Sequence, residues 1–122
     1  MTPDLHLRKL LFQYAMDTYG THPEYLWKKS PDNAILRHKE NDKWYAAFLI
    51  IPAKKLGLAD DGSVDVVNVK CSPLEIGSLL QKKGFFPAYH MNKTHWVSIL
   101  LDGSVTEEEL LFFLNASFEI TE

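Results

Sequence analysis

Between Pro87 and Trp96 the chain gathers side chains able to do chemistry. They are two imidazoles, His90 and His95, the ammonium of Lys93, the amide of Asn92 and the rings of Tyr89 and Trp96. The stretch follows neither strand alternation nor helical spacing, so it reads as a loop between ordinary elements. Three chemistries are open to it. An imidazole could serve as acid or base beside Lys93, although no carboxylate lies near in sequence to orient it. His90, His95, His38 and Cys71 could gather round a metal, but two histidines five residues apart fit no standard zinc motif. Alternatively the stretch could bind a polyanion. Arg37, His38, Lys54, Lys55, Lys70 and Lys93, with Lys82 and Lys83, would meet phosphates. Asn92 could pair with adenine, and Trp96 or Tyr89 could stack on an unpaired base. A plain structural reading stands beside all three, in which a polar loop docks Trp96 into the core.

Composition narrows these choices. The chain has 122 residues, 46% hydrophobic and 24% charged, which suits one globular domain over residues 1–122. Net charge is -3, so the whole molecule is no polycation. Charge is nonetheless uneven. Residues 28–55 hold seven Lys/Arg against three acids, residues 70–96 hold four lysines against one acid, and residues 102–122 carry six acids and no base. That gives the expected surface a basic and an acidic pole. A single cysteine excludes an internal disulfide and paired-cysteine zinc sites. Cys71 closes a strand on its apolar side and reads as buried and inert. P-loop, dinucleotide and nucleophile-elbow motifs are absent. No apolar run approaches a membrane span, and the first residues do not form a signal peptide. A cytoplasmic protein needing no cofactor or metal is expected, with no membrane partner; nothing in the sequence sets its oligomeric state.

The elements that must position the loop can be read in order. Thr2 and Pro3 suit the start of a helix running to Tyr19, with Leu7, Leu10, Leu11, Tyr14 and Ala15 on its buried face and Gly20 as its stop. Residues 20–33 form a loop in which Tyr25, Leu26 and Trp27 anchor on the core, or Trp27 touches a ligand. Strands are expected at Ala34–Lys39, Lys43–Ile51 and Val64–Cys71, forming an antiparallel meander. Ser72-Pro73-Leu74-Glu75 begins a second helix carrying Leu74, Ile76, Leu79 and Leu80 to near Gly84. Trp96–Leu101 is a further strand. Thr106 opens a last helix to about Asn115, with its acids at the positive end of the helix dipole. The expected class is α/β (α+β), an antiparallel sheet with helices packed on one face. Alternation puts Val67, Val69, Val97 and Ile99 under the helices. The opposite face would then present Lys70, Asn68, Ser98 and Trp96 to solvent, joined by either Arg37 or His38.

Lys70-Cys71-Ser72-Pro73 and the stretch Pro87–Trp96 resemble the MmcQ/YjbR family. Tyr19-Gly20, Pro23-Glu24, Leu36-Arg37-His38, Lys43-Trp44, Leu101-Asp102-Gly103 and Ser117-Phe118 extend the likeness along most of the chain. Asn-Lys-x-His-Trp at 92–96 is its most specific part. Two departures are Ala88, where the family often has glycine, and Phe118, where it commonly has tyrosine. The resemblance implies a frataxin/CyaY-like fold. It also implies DNA binding, assigned by likeness to a double-wing DNA-binding domain. Frataxin-type iron binding is not implied, because the first helix offers only Asp4 and Asp17 for an acidic ridge. The binding residues expected are Arg37, His38, Lys70, Tyr89, His90, Asn92, Lys93, His95 and Trp96. DNA binding through them should be weak and salt-sensitive. The alternative is a small-ligand or protein-binding module, or an enzyme, using the same face.

Overall fold

Local chemistry sets the helix ends. In the computed structural model, which describes residues 3–122, helix α1 spans His6–Tyr19. It starts three residues later than Pro3, because the Asp4 carboxylate accepts the His6 N–H at 2.9 Å; Thr2 lies outside the described residues. Gly20, with φ 68°, ends α1 as expected: its N–H and that of Thr21 return to the carbonyls of Met16 and Ala15. Helix α2 is Pro73–Leu79, capped by the Ser72 hydroxyl. It is shorter than expected, and Leu74 points to solvent while Ile76 and Leu79 are buried. Helix α3 is Glu107–Ile120, capped by Thr106, which accepts the Glu109 N–H at 3.1 Å. It runs beyond Asn115, because Asn115 and Ser117 turn their polar groups inward onto partners instead of ending the helix.

The strands are β1 Ala34–Arg37, β2 Trp44–Pro52, β3 Ser63–Lys70, β4 Phe85–Pro87 and β5 Trp96–Leu100. They form one antiparallel sheet in the order β1-β2-β3-β5-β4. The expected meander is β1-β2-β3. Edge strand β4 was not anticipated; its three residues acquire strand form by pairing with β5. The helices pack on one face, where Leu11, Ile76, Leu110 and Leu114 meet Phe48, Val67, Val69, Val97 and Ile99. No helix among the described residues is long and apolar enough to cross a membrane.

The opposite face is not open, contrary to the sequence reading. Over its lower half Leu49, Ile51, Val66 and Leu100 are covered by Leu56, the last residue of a single 3-10 turn (Ala53–Leu56), by Leu58 just beyond it, and by Phe86 and Tyr89. One irregularity matters for the site. Leu36 pairs with Ala46 but Arg37 pairs with Trp44, so Tyr45 is an extra, bulged residue. Ser117 fills the gap this leaves. Its hydroxyl donates to the Tyr45 carbonyl at 2.6 Å and accepts the Lys70 N–H at 2.9 Å.

Candidate functional site

The loop after β4 is fastened to the sheet by two polar side chains, Asn68 and Ser98. Asn68 Nδ2 donates to the Tyr89 carbonyl at 2.9 Å, and the Tyr89 N–H donates to Ser98 Oγ at 3.0 Å. The Ser98 hydroxyl donates in turn to Asn68 Oδ1. Asn68 and Ser98 are both 0% exposed. Alternation assigned them to the correct face, but their partner is the loop backbone rather than water. The next turn is closed by Asn92, whose Oδ1 accepts the Thr94 N–H at 2.8 Å and whose carbonyl accepts the amides of His95 and Trp96. The His95 carbonyl then accepts the Cys71 N–H at 2.8 Å, joining the loop to the end of β3. The left-handed residue of this loop is His90, with φ 59°, and not Ala88, where the family's glycine often falls.

These constraints sort the candidate residues into three groups. Arg37, Lys70 and Trp96 come together at the upper end of the face opposite the helices. Lys70 pairs with Trp96 across β3–β5, and Arg37 pairs with Trp44 across β1–β2. The bulge at Tyr45 is what turns Trp44 to this face. Trp27, from the loop after α1, meets Trp44 edge-on with centroids 5.9 Å apart. All three tryptophans of the chain therefore serve one surface. His95 and Asn92 lie in the turn that delivers Trp96. The Arg37 guanidinium is held at 2.9 Å by Glu24.

Tyr89 and Lys93 form a second group, facing Lys55 across a cleft of about 260 Å³. The exposed His90 ring lies against Tyr89 at 3.9 Å. Lys55 sits beyond the Pro52 end of β2 and Arg37 at its Trp44 end, while Lys93 lies three residues before Trp96, next to the Asn92 carbonyl that accepts the Trp96 N–H. From Trp44 to Pro52 strand β2 runs about 26 Å at ~3.3 Å per residue. The basic residues are thus strung along one side of the sheet, with Lys93 between Lys55 and Trp96. Lys54 and Lys82 are taken up by Asp61 and Glu109, at 3.0 and 2.9 Å.

His38 stands alone. It turns to the helix side, against the rings of Phe118 and Tyr45 at 4.1 and 5.3 Å. There it borders a cleft of about 670 Å³ between Tyr19, Lys39, Glu40, Phe118 and Glu122. The choice left open between Arg37 and His38 thus falls to Arg37. Burial pushes the Cys71 thiol up to about 11, with Glu75 adding to it, so the sulfur is protonated near neutrality. No three His, Cys, Asp or Glu side chains among the described residues converge on a point that could hold a metal ion. Sequence reasoning missed Trp44 as part of the surface. A tryptophan opening a strand was the only signal, and its face depended on the bulge.

A family model described as YjbR matches residues 16–120. The uncharacterized protein YyaQ of Bacillus subtilis (strain 168) is 39% identical over 114 residues, covering 93% of this chain and 97% of its own. A crystal structure of a Pseudomonas syringae protein is 44% identical, with a TM-score of 0.92 over 94% of this chain and 98% of that one. A Deinococcus radiodurans protein with a domain described as DUF419 shares the fold at a TM-score of 0.60 and 22% identity, over 82% of this chain and 67% of that one.

Proposed function

The chain belongs to the YjbR family, and from that footing we propose that it binds DNA, preferring unpaired strands, through the tryptophan-lined end of its sheet. The observation that carries this reading is the convergence of Trp27, Trp44 and Trp96 on one face with Arg37 and Lys70. Bases stack on aromatic rings without regard to sequence, at about 1–3 kcal/mol each, while cations track the phosphates. Lys93, three residues before Trp96, and Lys55 across the cleft from it would hold phosphates of the same strand. Affinity is weak in this reading. Of the two arginines, Arg8 is buried against Asp65 and Arg37 already carries Glu24.

Tryptophan fluorescence titrated with single-stranded and duplex oligonucleotides over a range of salt tests the proposal. Arg37, Lys55, Lys70 and Lys93 together give an expected log–log salt slope of roughly -3 on single strands and no steeper than about -4 on duplex. Trp27→Ala should weaken binding by about 1–3 kcal/mol. Affinity indifferent to salt would exclude the mechanism. Absence of binding at low salt would return the surface to a small-ligand or protein partner, with Tyr25, Leu26 and Trp27 as its exposed apolar contacts.

Lys93 gives a cleaner single-residue test. It is exposed and has no ion-pair partner among the described residues. Lys93→Ala should therefore shift stability by less than ~0.5 kcal/mol. It should also reduce the salt slope by about one phosphate's share. A large loss of melting temperature would make Lys93 a structural strut instead.

A further inference from the structure

The recess beside His38 lies on the helix side of the sheet, away from the three tryptophans. His38 is only 6% exposed, and its Nε2 lies 2.7 Å from Thr121 Oγ1. The Thr121 hydroxyl gives its single hydrogen to the Ser117 carbonyl at 2.7 Å, so toward His38 it can only accept. In the neutral imidazole the proton therefore sits on Nε2, which leaves Nδ1 a bare acceptor. Nδ1 has no hydrogen-bond partner among the described residues. Since no side-chain nitrogen or oxygen there is buried without a partner, Nδ1 must reach the recess.

The charge around it is one-sided. The 670 Å³ cleft and an adjoining hollow of about 530 Å³ share Thr21, His38 and Lys39; beside the Arg37–Glu24 ion pair, whose charges cancel, they carry Glu40, Asp42 and Glu122. None of these three carboxylates has an ion-pair partner among the described residues. The one unpaired cation, Lys39, is folded onto the C-terminal end of α1: a Cβ placed on Gly20 would lie 3.2 Å from its Nζ. That is the negative end of the helix dipole, so the ammonium is already favourably placed there. Phe118 and Tyr19, stacked at 3.7 Å, supply an apolar wall. Burial first, then Tyr14, Tyr45, Glu119 and Glu122, raise the Tyr19 phenol above its ordinary range, so this wall stays neutral.

We propose that this recess is a binding site for a small organic cation, an amine whose N–H donates to His38 Nδ1. Its charge is balanced by Glu40, Asp42 and Glu122, and its carbon skeleton rests on Phe118 and Tyr19. A planar cation also gains from the ring faces.

The test uses the full chain labelled with 15N, followed at the His38 ring nitrogens, and three ligands of similar shape: benzylamine, benzyl alcohol and benzoate. Benzylamine should move the Nδ1 resonance saturably, and benzoate should not. Glu40→Gln with Glu122→Gln, both at exposed positions, should weaken benzylamine about tenfold without changing the fold. His38→Phe keeps a ring against Phe118 and should abolish the response. Should that variant fail to fold, the double glutamine variant still decides. Equal responses to all three ligands, a preference for benzoate, or silence at Nδ1 would each overturn the proposal.

Discussion

Arg8→Ala is expected to cost about 3–5 kcal/mol of folding stability, the range for stripping one partner from a buried ion pair. Arg8 and Asp65 are each 2% exposed. The guanidinium donates from Nε to both Asp65 oxygens, at 3.1 and 3.0 Å, and from Nη2 to Oδ1 at 2.6 Å. Nη1 donates to the Asp32 carbonyl, and the group lies 5.6 Å from the centre of the Phe48 ring. One side chain thus ties α1 to the start of β3 and to the loop before β1. Without it the Asp65 carboxylate is left buried and unpaired. Burial pushes the Asp65 carboxyl up, against the pull of Arg8. Removing Arg8 raises its folded pKa further above the unfolded value. A carboxyl shifted in that direction binds its proton more tightly when folded, so the variant should lose stability as pH rises from acid toward neutral. Urea unfolding at two pH values measures both effects. Replacing the pair together, Arg8→Met with Asp65→Leu, should recover much of the loss. A deficit below ~1 kcal/mol for Arg8→Ala would mean that water reaches Asp65 and that the pair is not the tie described.

How much of this was legible in the sequence depended on whether the cause was local. Ser72 and Thr106 marked helix starts because a hydroxyl before a helix satisfies a free N–H wherever it occurs. Alternation placed Val67, Val69, Val97 and Ile99 correctly, since period two holds along a regular strand. It could not foresee the bulge at Tyr45, which depends on Ser117 arriving from α3 seventy-two residues away. That bulge is also what sends Trp44 to the surface with Arg37, so the fullest part of the site was hidden. Arg8 was passed over because a charged residue between Leu7 and Leu10 reads as solvated unless its partner, fifty-seven residues away, is known. Asn115 looked like a helix stop, yet its half-buried amide meets the hydroxyls of Tyr14 and Tyr19. A polar side chain announces only that it needs a partner, and the partner is set by the fold.

The same point governs the second large effect. Asn68→Ala should cost about 2–4 kcal/mol, because it leaves the Tyr89 carbonyl and the Ser98 hydroxyl each short of a buried partner. Asn68→Leu, close in size, should do no better, since the loss is of hydrogen bonds and not of volume. Asn68→Asp should fare worst near neutrality: one oxygen keeps the Ser98 hydroxyl as donor, but the other sets buried negative charge against the Tyr89 carbonyl. The damage should concentrate in the loop that carries Tyr89, His90, Asn92 and Lys93. Its amides, Tyr89 above all, should exchange with solvent faster in Asn68→Ala, while the Trp27–Trp44 contact persists. Ser98→Ala removes the neighbouring link in the same chain of bonds, so the double variant should fall short of the sum of the two. If the proposed function holds, DNA affinity in Asn68→Ala should lose the share due to Lys93 and keep the share due to Trp27 and Trp44. Wild-type stability with unchanged exchange at Tyr89 would show that a water can replace the amide. In that event the Tyr89–Ser98 bond, the Asn92 turn and the Cys71–His95 bond suffice to hold the loop, and Asn68 is no pin.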